Sequence, residues 1–391
     1  MAPATLRFRH FAHLPEARVH FGDLTLLVGP QASGKSLVAQ LWKWVLDTDF
    51  VHALLQEYGY QVETWRDFAE AYFGEGLGRA AWRATTRVWH QDNPWPKREA
   101  EILKAWHTSP GDEQVFYIPA QRVLCLVNEW PRPFRDFGAG DPFVLKRFSE
   151  VMRRALDEAH LEADEFPRAQ TAWYEAVRRA LYPQARIRIQ TKDYRKRIVQ
   201  RITTASQKGV DLPLMTWSAG QREFLPLLWA AHWLLPAQER RDKYRWIIVE
   251  EPEMGLHPQA LRAFFVLLGE WLTRGYRVII TTHAVQVLEF GWVLQHFQAA
   301  RARHPAHRAT VQQALQSYLL ATHLDATSLL ERSVRVYFFK RQDGQVTIKD
   351  ISGLDPWSDD MDEADWGGLT ALTQRAQEAV ARVANLLDLV E

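Results

Sequence analysis

Apolar positions along this chain fall into short β-like runs, each followed by a stretch with helical spacing. Residues 24–28 (Leu-Thr-Leu-Leu-Val) form the first buried-strand candidate. Leu37, Val38, Leu41, Trp44 and Val45 then recur at helical spacing and predict a helix over 36–47. Further strands are predicted at 115–119, 245–250 and 277–281, and helices over 222–235, 259–273 and 285–298. Two short strands, 6–8 and 17–21, lead into the first run. Residues 50–106 read as mostly helical and rich in aromatics, with a break at Asn93-Pro94-Trp95-Pro96. Pro131, Pro133 and Gly138-Ala139-Gly140 mark a loop. Helices over 145–160 and 169–181 form an insertion too short to be a long coiled-coil arm. Residues 186–190 alternate like a strand, with 197–202 as its partner. Residues 212–217 lead into Ser218-Ala219-Gly220-Gln221. Near the end, 334–340 and 345–350 flank Asp343-Gly344, a hairpin signal, and 368–389 reads as a closing helix. The sequence holds no repeat and no low-complexity tract.

Between the first strand and its helix lies Gly29-Pro30-Gln31-Ala32-Ser33-Gly34-Lys35-Ser36, which fits G-x-x-x-x-G-K-[ST], the phosphate-binding P-loop. A triphosphate concentrates negative charge on a small ligand. The loop answers with converging backbone N–H groups, which small residues allow to come close. Lys35 is placed to reach the β- and γ-phosphates, and the Ser36 hydroxyl to ligate Mg²⁺. The helix that starts here points its positive end at the same spot.

The run Trp246-Ile247-Ile248-Val249-Glu250-Glu251 is an apolar strand ending in two acids, the way P-loop enzymes present a Walker B group. Glu250 would hold Mg²⁺ through water, and Glu251 would orient or deprotonate an attacking water. The competing reading is a strand end with two solvated carboxylates.

Composition narrows the setting. The chain has 391 residues, room for one large α/β domain with insertions or for two domains. Hydrophobic residues at 47% and charged residues at 24% are ordinary for a soluble globular protein. The 17 Trp are spread from Trp42 to Trp366 rather than clustered as a base-stacking surface, so most are expected in the core. A net charge of +1 gives no global steering toward nucleic acid or membrane. Cys125 is the only cysteine, which excludes an internal disulfide and a Cys-based zinc site and fits a reducing compartment. The N-terminus lacks a long apolar stretch, and the most apolar helix candidate, 225–235, is too short to span a bilayer. A cytoplasmic protein with no membrane partner is expected.

Five motifs in order carry a resemblance. Ser218-Ala219-Gly220-Gln221 resembles the S-x-G-Q signature of ABC-type ATPases, about thirty residues before the Walker B strand. Gly255-Leu256-His257-Pro258 matches the D-loop of that family, and Ile279-Ile280-Thr281-Thr282-His283 the strand that ends in its switch histidine. Gln121 resembles the Q-loop glutamine, with a role at the metal and the attacking water; an ordinary surface glutamine is the alternative, as a core histidine is for His283. The wording Glu250-Glu251-Pro252-Glu253-Met254-Gly255-Leu256-His257-Pro258 is similar to that of stand-alone ATPases in the SMC/RecF/OLD-type branch rather than to transporter subunits. The resemblance covers about 1–50, 112–125 and 210–300. Two residues depart from it: Glu250 replaces the usual Asp, with the carboxylate one methylene further out, and Trp217 replaces the usual Leu. OLD nucleases carry a Toprim domain, for which the residues beyond His283 offer no match.

The resemblance implies an α/β fold of the ABC-ATPase-like P-loop NTPase kind, with a mixed-sheet core and a mostly helical insertion. It divides the chain into an ATPase lobe (1–121), an insertion (122–209), an ATPase core with the signature, Walker B, D-loop and H-loop (210–304), and a C-terminal helix and hairpin extension (305–391). It also implies a head-to-tail homodimer, with each ATP between the P-loop of one copy and Ser218, Gly220 and Gln221 of the other. ATP and Mg²⁺ are the expected cofactors. The leading expectation is a regulatory or sensor ATPase for a separately encoded effector, as in anti-phage defence. A DNA-clamping repair ATPase and an ATP-binding scaffold without turnover are the alternatives. Nine Lys or Arg between Arg178 and Arg201, with Tyr182 and Tyr194 interleaved, offer either a DNA or RNA surface or a solvated strand face. Six acids from Asp355 to Asp365 offer either a partner site or, preferably, an exposed loop.

Overall fold

Alternation of apolar and polar side chains runs beyond the two short N-terminal strands, and both are longer than expected. β1 (Ala4–Phe11) and β2 (Leu14–Phe21) pair antiparallel. The computed structural model describes residues 4–96, 111–158, 171–183, 185–204, 207–235, 242–342, 344–371, 373, 375–377 and 379–381. β3 (Leu24–Val28) is buried at every position. The helix after it, Lys35–Leu46, buries Val38, Leu41, Trp44 and Val45, which is the face its spacing predicts.

Residues 50–106 correct the helical expectation in part. Helices cover Thr48–Glu57, Trp65–Phe73 and Leu77–Ala81, but β4 (Arg87–His90) and β5 (Asn93–Trp95) form a hairpin that extends the first sheet in the order β2-β1-β4-β5. Gln91 and Asp92 both take positive φ, the conformation of a tight hairpin turn. Pro94 sits on the edge strand, where its missing N–H costs no ladder bond. Residues 97–106 lie outside the described residues. The aromatics of this region are core: Trp44 stacks on Trp65 and Tyr72, with Trp82 and Trp95 edge-on.

The remaining strands are β6 (Val115–Ile118), the short pair β7 (Leu126–Val127) and β8 (Trp130–Pro131), β9 (Ala185–Lys192), β10 (Arg195–Thr204), β11 (Gln207–Pro213), β12 (Trp246–Glu250), β13 (Arg277–Thr282), β14 (Val334–Gln342) and β15 (Gln345–Asp350). Six of them form the core sheet, in the order β15-β14-β3-β13-β12-β6. The four pairings from β14 to β6 run parallel, and β15 closes one edge antiparallel. Leu26 and Leu27 face opposite layers, so both faces of the sheet carry a hydrophobic core.

The insertion holds the helices Phe143–Glu158 and Ala172–Leu181 and, beside them, the three-stranded sheet β11-β10-β9. The expected partners 186–190 and 197–202 do pair. β11 is additional: its Gly209 and Pro213 give no strand pattern, and pairing with β10 makes it one. Residues 159–160 and 169–170 of the expected helices lie outside the described residues. The C-terminal hairpin forms as expected and joins the core, with β14 laid parallel on β3; Asp343 of its turn is not among the described residues. The closing segment is helical at 371, 373, 375–377 and 379–381, and 382–389 lie outside the described residues. No helix among the described residues is long and apolar enough to cross a membrane.

Candidate functional site

Four adjacent parallel strands, β3, β13, β12 and β6, end at one edge of the core sheet, and a candidate residue follows each end. Such an edge is where α/β sheets bind ligands. The P-loop leaves β3 there. Its helix starts on Gly34 with no side-chain cap, so its first N–H groups are left for an anion. Gly29 has a φ of +141°, and a Cβ on it would meet the Phe339 carbonyl oxygen at 2.7 Å. Only glycine lets β14 pass this close. Lys35 Nζ donates to the Gly29 and Pro30 carbonyls, each at 2.7 Å, and Ser33 Oγ to Pro30 at 2.8 Å. Burial pulls the Lys35 ammonium below its usual range, while Glu251 and Glu253 pull it back up. Arg341, on β14, donates to the Ala32 carbonyl at 2.7 Å and so brings a second cation to the loop.

Glu250 ends β12 and is buried. Its Oε2 accepts the Ala120 N–H at 3.0 Å, and among the described residues none makes a hydrogen bond of ordinary geometry to its Oε1. Burial raises its pKa, opposed by the Ser36 hydroxyl, the Ala120 N–H and the Tyr117 hydroxyl. A carboxylate oxygen buried beside the P-loop serine without an ordinary hydrogen bond fits a divalent cation and its water shell. With the uncapped helix and a lysine whose described hydrogen bonds go to carbonyls, these residues also fit the phosphates of a nucleotide. Glu251 is half-exposed, with φ +41°, and its N–H donates to the Thr281 carbonyl at 2.9 Å.

β13 ends at Thr282, and His283 follows. Its Nδ1 lies 3.5 Å from Glu253 and 3.9 Å from Glu251. Glu253 also accepts from Thr282 Oγ1 at 2.7 Å and from the His283 N–H at 3.0 Å, and so fixes this turn. Gln121 follows β6 at the same edge and is exposed. The structure therefore groups Lys35, Ser36, Glu250, Glu251, His283 and Gln121 at one edge of the sheet.

Ser218 stands apart from this group. It caps the helix Ala219–Leu234 in a reciprocal box: Ser218 Oγ accepts the Gln221 N–H, and Gln221 Oε1 accepts the Ser218 N–H. Gln221 also donates to Leu181, and Tyr182 donates to the Gln221 carbonyl, which ties the helix start to the insertion. A Cβ on Gly220 would lie 2.9 Å from the Gly255 carbonyl, so glycine lets the signature pack on the D-loop. Ser218 itself is exposed, and among the described contacts none joins it to the P-loop of its own chain. Trp217 is buried, with its indole N–H donating to Leu212.

Of the nine cations between Arg178 and Arg201, several face acids: Arg178 pairs with Glu175 at 2.9 Å, Lys196 with Asp157 at 3.5 Å and Arg201 with Asp211 at 3.9 Å. At the β9–β10 tip, Lys192 and Arg195 make no ion pair among the described residues, and they flank Tyr194, which is fully exposed. In the acidic segment, Asp360 and Asp362 pair with Lys349, and Asp362 also with Lys340, so the segment lies against β14 and β15. Arg122, Glu253 and Arg341 were not singled out in the sequence. Each acts through a tertiary contact: Glu253 stands in the motif that follows the Walker B strand but had been given no role, Arg122 is adjacent to Gln121, and Arg341 belongs to no motif.

Residues 106–289 of the chain match a family described as "AAA domain, putative AbiEii toxin, Type IV TA system". An SMC head bound to the C-terminal winged-helix domain of ScpA is similar over 88% of this chain and 96% of its own, at 10% identity and a TM-score of 0.42. The SMC head domain from Thermotoga maritima is similar over 90% of this chain and 99% of its own, at 13% identity and a TM-score of 0.39. A dimeric bacterial ABC transporter cassette is similar over 73% of this chain and 90% of its own, at 11% identity and a TM-score of 0.33. No curated protein matches the chain in sequence.

Proposed function

We propose that this chain, a P-loop NTPase of the ABC-like, SMC/RecF kind, is an ATPase that closes head to tail with a second copy around ATP and regulates a separately encoded effector. The observation that carries the ATPase reading is Glu250 Oε1, without an ordinary hydrogen bond among the described residues and buried beside Ser36 under an uncapped helix start. Lys35 would exchange the Gly29 and Pro30 carbonyls for phosphate oxygens. Bound Mg²⁺ supplies charge neutralisation at the phosphates, and Ser36 and Glu250 would hold it, with Gln121 at the mouth of the site. Glu251 would accept the proton of the attacking water, and His283, between Glu251 and Glu253, would orient it. The exposed Ser218, with no described contact to its own P-loop, supports a signature presented to the ATP of a partner copy. The type IV toxin–antitoxin wording of the matched family supports a role beside a separately encoded protein, and a setting in bacterial anti-phage defence is part of the same proposal.

A second reading, ATP-dependent clamping of DNA or RNA, is favoured by the exposed Tyr194 between Lys192 and Arg195. Phosphate release from ATP by the purified chain tests the first. It should require Mg²⁺ and fall to background in Lys35→Ala. Equal turnover by the parent and Lys35→Ala would sink the P-loop assignment. ATP retention without phosphate release would leave a scaffold.

A further inference from the structure

Glu251 holds a backbone conformation that L side chains adopt only when their surroundings impose it, with φ +41°. Both of its backbone polar groups are held. The N–H donates to Thr281, and the carbonyl accepts from Nη1 and Nη2 of Arg122, each at 3.3 Å. The same guanidinium donates to the Glu250 carbonyl at 3.0 Å and, through Nε, to the Glu223 carbonyl at 2.9 Å. The Glu223 carboxylate lies 3.7 Å from Nη2. Arg122 is completely buried, and Glu223 lies in the first two turns of the helix that Ser218 caps.

We propose that Arg122 is a positioning residue that fixes the Glu251 main chain and ties it to the signature helix. The inference rests on the reading that Glu251 acts on the attacking water. One planar fork spans three carbonyls on two elements, so a shift of the signature helix on closure of the dimer reaches Glu251 through Arg122. Lysine keeps the charge but offers one point of donors, which cannot span the same acceptors.

The test uses the full chain. Arg122→Lys should leave ATP affinity within about threefold and lower the single-turnover hydrolysis rate by about 10²-fold, the scale of a 1 Å misplacement. In a Glu251→Gln background the same change should lower the residual rate by less than about threefold, because its effect passes through Glu251. A fall as large in that background as in the parent, or no fall in either, overturns the proposal. If Arg122→Lys does not fold, Arg122→Ala with millimolar methylguanidinium replaces it: recovery of at least about tenfold supports the proposal, and no recovery overturns it. A Glu251→Gln protein that hydrolyses ATP at the parental rate would instead remove the reading of Glu251 itself.

Discussion

Lys43→Met is expected to destabilise the protein strongly, in a way that depends on pH. Lys43 lies in the last turn of the helix Lys35–Leu46 and is fully buried. Its Nζ donates to Asp47 at 2.7 Å, to Glu113 at 3.0 Å and to the Val115 carbonyl at 2.7 Å, joining the helix to the start of β6. At an effective dielectric of about 20, each carboxylate contact is worth about 6 kcal/mol before desolvation of the ions is subtracted. Removing one partner of such a buried cluster costs about 3–5 kcal/mol. Methionine keeps the apolar stem, so little of this is lost packing. Burial has already pushed the Asp47 carboxyl up to about 6, with Lys43 pulling it down. Glu113 is held at about 2, against burial, by Arg147 and Lys43, and it keeps Arg147 in the variant. Without Lys43 the folded-state pKa of Asp47 rises further, while the unfolded value stays at about 4. A carboxyl raised in the folded state destabilises only when ionised, so the penalty is absent near its unfolded pKa, grows as pH rises and levels off above the folded pKa. Urea unfolding of parent and variant at pH 5 and pH 8 measures this. The deficit should be smaller at pH 5. A deficit under about 1 kcal/mol, the level of an exposed pair, or one equal at both pH values, would refute the reasoning.

Three further outcomes follow from the site. Gly29→Ala must move the loop away from the Phe339 carbonyl, so ATP affinity should fall at least about tenfold, or about 1.4 kcal/mol, by isothermal calorimetry. Glu250→Gln should remove most of the gain in ATP affinity that Mg²⁺ gives over EDTA; an unchanged gain would place the metal elsewhere. Charge reversal at Arg195, Lys196 and Arg197 should weaken binding to DNA or RNA and flatten its salt dependence. If both nucleic acids bind the variant as well as the parent, the strands carry a solvated face.

The parts of the fold legible in the sequence were those with a local cause. The run 24–28 and the helix after it were identifiable because every strand position is apolar and the helix repeats at its own period. The β14–β15 hairpin was marked by its turn, but its place beside β3 was not, since strand order is set by packing and leaves no trace in alternation. β5 was missed because Asn93 and Pro94 break patterns, and only an edge position makes them acceptable. In the site, Lys35, Glu250 and His283 stood out because each lies at or after the end of a buried strand within a spaced motif. Arg122 and Arg341 did not: their partners are backbone carbonyls far away in the chain, and carbonyls have no sequence signature.

The central claim is an ATP-driven dimer, and the mass of Glu251→Gln in solution tests it most directly. The amide is nearly isosteric with the carboxylate but cannot take the proton of water, so binding survives while hydrolysis slows by about 10²- to 10⁴-fold. Size-exclusion with light scattering should give one mass without nucleotide and twice that mass with Mg-ATP. Adding Ser218→Arg, which puts bulk and charge at the exposed signature, should return the mass to that of one copy. A Glu251→Gln protein whose mass ignores Mg-ATP, or whose dimer ignores Ser218→Arg, would contradict the account.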